Sequence, residues 1–439
     1  EWNTQGHPNR IVHITKRQLM AFARLFDGND NWKQARLPVI HAQPLLDAIM
    51  KFSEQEVKIS DLKDKICLSE LWHETNAQKD GTIYRNVHFP ESLQDTIYSG
   101  PHIGVANPLF KASRTICVLN SDYDNIDLTQ IGEDYIQRIN YSPNCDMGEY
   151  YSRIPKDSNG NATTNYYRLI ARKMLNITGE RTLICGIVPP GTAHTNGLIG
   201  FEFADLDSLI CSAGAFASIP FDFFIKVMGK ANLYGDNAGK LPIIHTKYDR
   251  EIAVRSLLLN CLTKNYRSLW NRAFKSEYKT ITWTKQDIRL RNQRFSELQD
   301  DWNRTFPLKT DFERHQALIE LDVLTAMSLG MSLKQLNTIY EIQFPVLQQY
   351  ESDTWYDVNG RIVFTTNRSM VGVGYDRKTW EYEVKDAPAG KKFYRTFMDD
   401  TMPGGLEEHT IEYVAPFDRC DREKDYKIAW KFFEEKYEK

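Results

Sequence analysis

Cysteine is scarce in this chain and nowhere paired in sequence. The seven residues Cys67, Cys117, Cys145, Cys185, Cys211, Cys261 and Cys420 lie far apart, with no Cys-x-x-Cys. That spacing argues against a zinc site or a disulfide framework, and for small core residues in a reducing, cytoplasmic compartment. There the Asn-x-Ser/Thr sequons at Asn161, Asn176, Asn303 and Asn367 would go unused. No apolar run approaches the roughly 20 residues that span a bilayer, so no membrane partner is expected. The first ten residues, EWNTQGHPNR, hold neither a Met nor a charged-then-apolar signal segment, and read as part of a fragment cut from a longer chain.

Catalytic constellations are missing too. No Ser/His/Asp or Cys/His arrangement stands out by spacing. Trp72-His73-Glu74-Thr75 begins like a zinc-protease helix, but Ala77 occupies the place of the second His. Gly372-Val373-Gly374 is a lone glycine pair, too little for a phosphate loop. The stretch Asn107-Pro108-Leu109-Phe110 is one letter away from the Asn/Asp-Pro-Pro-Tyr/Phe tetrapeptide that holds adenine in N6-methylating enzymes. Among the glycines before it (Gly6, Gly28, Gly81, Gly100, Gly104), none forms a Gly-x-Gly after an apolar strand. Methyl transfer needs such a turn for close backbone approach to the cofactor, so the tetrapeptide reads as a loop.

What the chain does have is length and core material. Its 439 residues, 41% hydrophobic and 12% aromatic, are enough for two or three domains. Apolar residues recur at helical spacing in IVHITKRQLMAFARLF and QPLLDAIMKF, with LPVIHAQP as the turn between them. From about Cys67 the pattern shifts to short β-like runs (GTIYRNVHF, RTICVL, RTLICGIVP, FASIPF), with DSNGNATTN as an exposed tip. YDREIAVRSLLLNCLTKNYRSLWNRAF reads as one long helix and ERHQALIELDVLTAMSLG as another, ending near Gly330. SLKQLNTIYEIQFPVLQQY is a helix broken at Pro345, and Asn359-Gly360 marks a hairpin. KDYKIAWKFFEEKYEK is a charged terminal helix. The expected fold class is α+β. Its parts are a helical segment over 1–66, a mixed, β-led domain over 67–250, a basic helical domain over 251–350, and a β-hairpin extension with a terminal helix over 351–439.

Net charge is −3, yet it is unevenly spread. From Arg255 to Arg294, ten Lys/Arg face two acids, Glu277 and Asp287, a local excess of eight positive charges. Tyr266, Trp270, Phe274, Tyr278 and Trp283 are interleaved. Such a strip, with Arg267, Arg272 and Lys275 at its centre, suits a phosphate backbone. It equally suits a solvated helix whose basic stems cover apolar surface. Glu383-Val384-Lys385, with Asp357 or Asp376 upstream, has the Glu-x-Lys spacing of metal-dependent nucleases, a spacing that also arises by chance in charged chains.

Several longer segments carry a resemblance. NYYRLIARKMLNITGERTLICGIVPPGTAHTNG (165–197) and IPFDFFIKVMGKANLY (219–234), followed by Leu241-Pro242, resemble a region after the catalytic domain of large bacterial N6-adenine DNA methyltransferases. These are the type IIG-like restriction–modification enzymes and the phage-defence methylases of the BREX and DISARM kind. The resemblance covers roughly residues 10 to 350, and 355–380 more loosely, and implies a target-recognition region rather than a methyltransferase. It implies that Arg168, Arg172, Lys226 and Lys230 contact phosphates, and that Thr192, His194 and Asn196 present hydrogen-bonding groups to base edges. Arg181 would pair with Glu180 or another acid. The implied partners are double-stranded DNA, the absent methyltransferase domain and other defence proteins. S-adenosylmethionine would belong to that absent domain, with no cofactor in this part. Two other readings stay open: a metal-dependent nuclease using Glu383 and Lys385, and an interaction scaffold built on the helical segment 250–350.

Overall fold

A computed structural model of the chain describes residues 11–40 and 42–438; the N-terminal decapeptide and His41 of the LPVIHAQP turn lie outside it. Helices take 39% and strands 17% of the chain, and the strands fall into several small sheets, so the fold class is α+β. At its centre lies a four-stranded antiparallel sheet. In spatial order its strands are Ile66–Ser69, Leu198–Phe203, Arg168–Arg172 and Cys185–Val188. Strand alternation sends side chains to opposite faces. Leu169, Ala171, Cys185, Ile187, Ile199 and Phe201 go to one face, into the main core. Ile170, Val188 and Leu198 go to the other, against Tyr98 and Ile103.

The main core draws residues from Phe22 to Phe433 and crosses every boundary expected from the sequence. Each fully buried Leu, Ile or Phe in it contributes roughly 1.5–3 kcal/mol of transfer free energy. Two helices cover the sheet where β-structure was expected from FASIPF. Leu206–Phe216 is capped by Asp205, whose carboxylate accepts from Ser208 N, and Ile219–Val227 starts with Pro220 in its first turn. Apart from Asp207, Asp222 and Lys226 their residues are apolar or small and almost all buried, which hides helical periodicity. No single helix among the described residues is long and apolar enough to cross a membrane. This bent pair passes by composition only, and it lies in the core.

The expected long helix after Tyr248 is two, Asp249–Asn260 and Arg267–Ala273. It breaks because Asn260 turns inward: its carboxamide accepts from Ile187 N at 2.9 Å and donates to Ser256 O at 2.8 Å. RTICVL forms no strand and is a surface loop in which Ile116, Val118 and Leu119 are exposed. The helices Asp311–Ser328, Leu333–Gln343 and Pro345–Glu351 follow the sequence reading, including the stop at Gly330 and the break at Pro345. Trp355–Tyr356 pairs with Ile362–Phe364 around Asn359-Gly360. Lys392–Asp399 and Glu407–Val414 form a longer two-stranded arm, and the helix Arg422–Tyr437 returns to the core.

Candidate functional site

A cleft of about 700 Å³ opens between the 107–129 region and the C-terminal extension. Three sequence features seen separately line it together: Asn107 and Phe110, the Gly372-Val373-Gly374 turn, and Ile362 of the Asn359-Gly360 hairpin. The Asn107 loop is held by the core. Arg314 donates to Ala106 O at 2.8 Å and Ala106 N donates to Cys185 O at 2.8 Å, fixing Ala106 at a φ of 46°. Asn107 Oδ1 accepts from Leu109 N at 3.1 Å. Leu109, at the position of the second Pro in the adenine-binding tetrapeptide, is an anchor buried with Ile126, Leu128 and Leu262. The near-match is thus a structural loop whose two ends face a cleft. Gly374 is required opposite: its φ is +71°, and a Cβ there would lie 2.5 Å from Val363 O.

The charges of this cleft are balanced. Arg114, Lys309, Arg314, Arg361 and Arg395 are matched by Asp124, Asp127, Asp311, Asp399 and Asp400. Arg361 Nη1 donates to Asp127 Oδ2 at 2.9 Å, and Arg114 grips Asp124 with its nearest contact at 2.7 Å. Burial resists ionisation of Asp127, but Arg361 and the Thr129 hydroxyl outweigh it and hold its carboxyl below the usual range. Asp311, at the start of its helix, takes one hydrogen bond from Ile362 N at 3.0 Å, and burial pushes it up to about 6. The rim is apolar and open: Ile116 is 78% exposed, Val371 68%, Leu406 61% and Met398 56%. The cleft therefore offers apolar contact with fixed polar groups at its base, and no net field for a polyanion.

The sequence-predicted contact residues lie elsewhere, and most are inside the protein. Arg168 is fully buried; one guanidinium nitrogen donates to the Thr192 carbonyl and, at 3.2 Å, to its hydroxyl. Arg172 is half-buried and donates to Ile103 O at 2.6 and 3.0 Å, and burial lowers it to about 10. Thr192 and His194 are fully buried, and Asn196 Oδ1 accepts from Lys173 Nζ at 2.5 Å. Burial drives the His194 imidazole down to about 3. Lys226 is buried and donates to the carbonyls of Ile177 (2.9 Å) and Gly179 (3.3 Å). For Arg168, Arg172, Thr192, His194 and Lys226 this corrects the expectation of direct DNA contact, because the side chains lie within the fold and the hydrogen bonds they donate run mainly to backbone carbonyls there. Lys230, past the end of its helix, is half-buried, as are Arg172 and Asn196.

Arg181 pairs with Asp222 at 2.7 Å rather than with Glu180, and Thr182 N donates to the same carboxylate at 3.0 Å. The two segments that carry the family resemblance are thus joined through one buried acid.

The basic strip divides by burial. Arg255 is fully buried between Glu251 and Glu320, at 2.7 and 2.6 Å. Half-buried Lys285, Arg289 and Arg294 pair with Asp425, Asp287 and Glu313. By contrast Lys264, Arg267, Arg272, Lys275 and Lys279 are exposed. Arg267 pairs with Asp301 at 2.5 Å, Lys275 with Asp207 at 3.1 Å, and Lys264 with Asp134. Arg272 and Lys279 make no ion pair among the described residues. Neither original reading of the strip holds for its whole length: one half builds the core, and the other is a cationic surface.

The nuclease residues do not assemble. Both Asp357 oxygens accept from backbone N–H groups in the hairpin turn, those of Asn359, Arg361 and Val414. Asp376 caps the following helix through Thr379. Of the helices in 250–350, read as a possible docking face, Asp249–Asn260 and Asp311–Ser328 are mostly buried, whereas Arg267–Ala273, Leu333–Gln343 and Pro345–Glu351 are mostly exposed or half-buried.

Among the described residues, one three-residue group has ligand atoms close enough for a metal ion: Cys211, His245 and Asp249. Burial first, and then the neighbouring carboxylates, push its thiol well up. No protein-family model matches the chain, and no curated protein matches it.

Proposed function

We propose that the chain is a non-catalytic recognition module that holds double-stranded DNA for a cytoplasmic, adenine-methylating partner domain in bacterial restriction or phage defence. S-adenosylmethionine chemistry belongs to that partner. The observation that carries this reading is the exposed cationic surface at Lys264, Arg267, Arg272, Lys275 and Lys279. Its ion pairs are surface pairs, worth about 0–1 kcal/mol each, so a phosphate can replace an Asp partner at little cost. Arg272 and Lys279 need not exchange anything. The residues named by the resemblance serve the scaffold: Arg181 and Lys226 fasten the 176–183 loop to the helix Ile219–Val227.

Fluorescence anisotropy on a random duplex at about 50 and about 200 mM salt tests this. Binding is expected to weaken steeply with salt. Its log–log slope should fall by about 2 in an Arg272→Glu/Lys279→Glu variant, because each phosphate contact contributes about 0.9. Unchanged binding in that variant, or no binding at either salt, sinks the proposal.

A second reading rests on the cleft. Its open apolar rim suits a protein partner and moves the scaffold role from the helices to this surface. Loss of partner co-elution on size exclusion in Leu406→Asp, with DNA binding intact, would favour it.

A further inference from the structure

The second face of the central sheet carries polar groups where apolar ones are normal. In register, Ser69 stands opposite Gly200 and Cys67 opposite Glu202. Gly200 pairs with Ile170 and Phe201 with Leu169, so Arg168 occupies the rung opposite Glu202. The Ala193–His194 strand and Thr195 close over this face from the direction of Tyr98. Arg168, His194, Thr195 and Glu202 are all at least nine-tenths buried.

Cross-strand neighbours of opposite charge ordinarily pair, and these two do not. The Arg168 guanidinium donates only to Thr192, and the Glu202 carboxylate accepts only from Ser69 Oγ, at 2.6 Å. Arg168 Nε and Nη1, Glu202 Oε2, His194 Nε2 and Thr195 Oγ1 have no protein partner. The tautomer of His194 follows from its other nitrogen. Nδ1 lies 3.0 Å from Thr195 O and carries the proton, so Nε2 is an acceptor. The three side chains converge over the bare backbone of Gly200, where a Cβ would collide at 2.6 Å with both Glu202 Oε1 and Ser69 Oγ and would lie 3.4 Å from His194 Nε2.

We propose that these residues line an internal chamber that binds ordered water, bridging the Arg168 guanidinium to the Glu202 carboxylate. Water is the guest that the donor set selects. It accepts from Arg168 and donates to His194 Nε2 and Glu202, whereas an anion satisfies Arg168 alone and faces the Glu202 charge. A direct Arg–Glu contact would hold the carboxyl low; instead burial carries it up to about 7. The chamber lies beneath the Pro189–Asn196 loop and anchors it through Arg168 and Thr192.

High-resolution diffraction from crystals of the chain tests this, with a bromide soak as a second arm. The expected result is ordered density between Arg168 and Glu202, within hydrogen-bond distance of Ser69 Oγ or His194 Nε2, and no anomalous peak after the soak. A direct Arg168–Glu202 ion pair with no density between overturns the proposal. A bromide peak overturns it in favour of an anion site. In solution, a long-lived water should give nuclear Overhauser contacts to the Thr195 methyl. These should vanish in a folded Arg168→Met/Glu202→Leu variant. Their absence in the wild-type protein, or persistence in the variant, also overturns it.

Discussion

A single carboxyl shows how far burial can outweigh its neighbours. Glu202 is carried up to about 7, first by desolvation, with Arg168 and the Ser69 hydroxyl pulling it back only in part. In the unfolded chain it ionises near its ordinary value of 4.5. Between those two values the folded state holds the proton more tightly, so stability falls as pH rises through the window and levels off above it. A Gln at 202 keeps the acceptor for Ser69 and never ionises. Glu202→Gln should therefore melt higher than the wild-type protein at pH 8, with no such gain at pH 4.5. The difference between the two pH values is on the order of 3 kcal/mol. Equal shifts in melting temperature at both pH values would show that Glu202 ionises as readily in the fold as in water.

At the scale of elements, the arm Lys392–Asp399/Glu407–Val414 is exposed along much of its length and held near its tip by side chains from the 115–138 region. Arg138 is buried and donates to both Asp400 oxygens, at 2.5 and 2.7 Å; Thr115 Oγ1 adds a bond of 2.7 Å. Tyr135 Oη donates to Thr401 O at 2.7 Å. The Arg138 hydrogen bonds hold the Asp400 carboxyl down to about 2. Its contribution is full above the ordinary carboxyl range and is lost as pH falls through about 2, so the clasp is intact at neutral pH. Asp400→Ala should free the tip, lower the melting temperature because it strands the buried Arg138 guanidinium, and speed proteolytic nicking within 399–407 several-fold. Nicking at the wild-type rate would show that strand pairing alone holds the arm.

The elements legible in the sequence were those with one apolar face or a strong stop signal. Asp311–Ser328 ends at Gly330, and Asn359-Gly360 turns a hairpin. The elements misread were apolar on every side, as in Leu206–Phe216, or broken by one inward side chain, as at Asn260. The site was legible only in fragments. Asn107, Phe110 and Gly374 each drew attention, but nothing local says that residues more than two hundred positions apart share a cleft. Charge misled for the same reason: the acids that neutralise Arg255 and Arg294 include Glu320 and Glu313, outside the strip.

Across the whole molecule, buried ions tie the C-terminal helix to the centre. Asp322 accepts from Ile219 N at 2.7 Å, Arg422 Nη1 at 2.5 Å and Tyr426 Oη at 2.6 Å. Arg422 also grips Glu351, which accepts from Tyr340 Oη at 2.7 Å. At the other end of that helix Lys436 and Tyr437 reach Glu251, the partner of Arg255. Tyr426, Ala429 and Phe433 fill the main core between these anchors. Removing residues 421–439 would strand Asp322 and Glu351 without their cation and open an apolar trench. Losing one partner of a buried pair costs about 3–5 kcal/mol even before the apolar loss is counted. The truncated chain should lose its cooperative thermal transition and aggregate on expression, while the full chain unfolds in one transition followed by both circular dichroism and tryptophan fluorescence. A truncated chain that stays monomeric with an unchanged transition would mean that the extension is an appended domain, as its sequence suggested, and that the core closes without it.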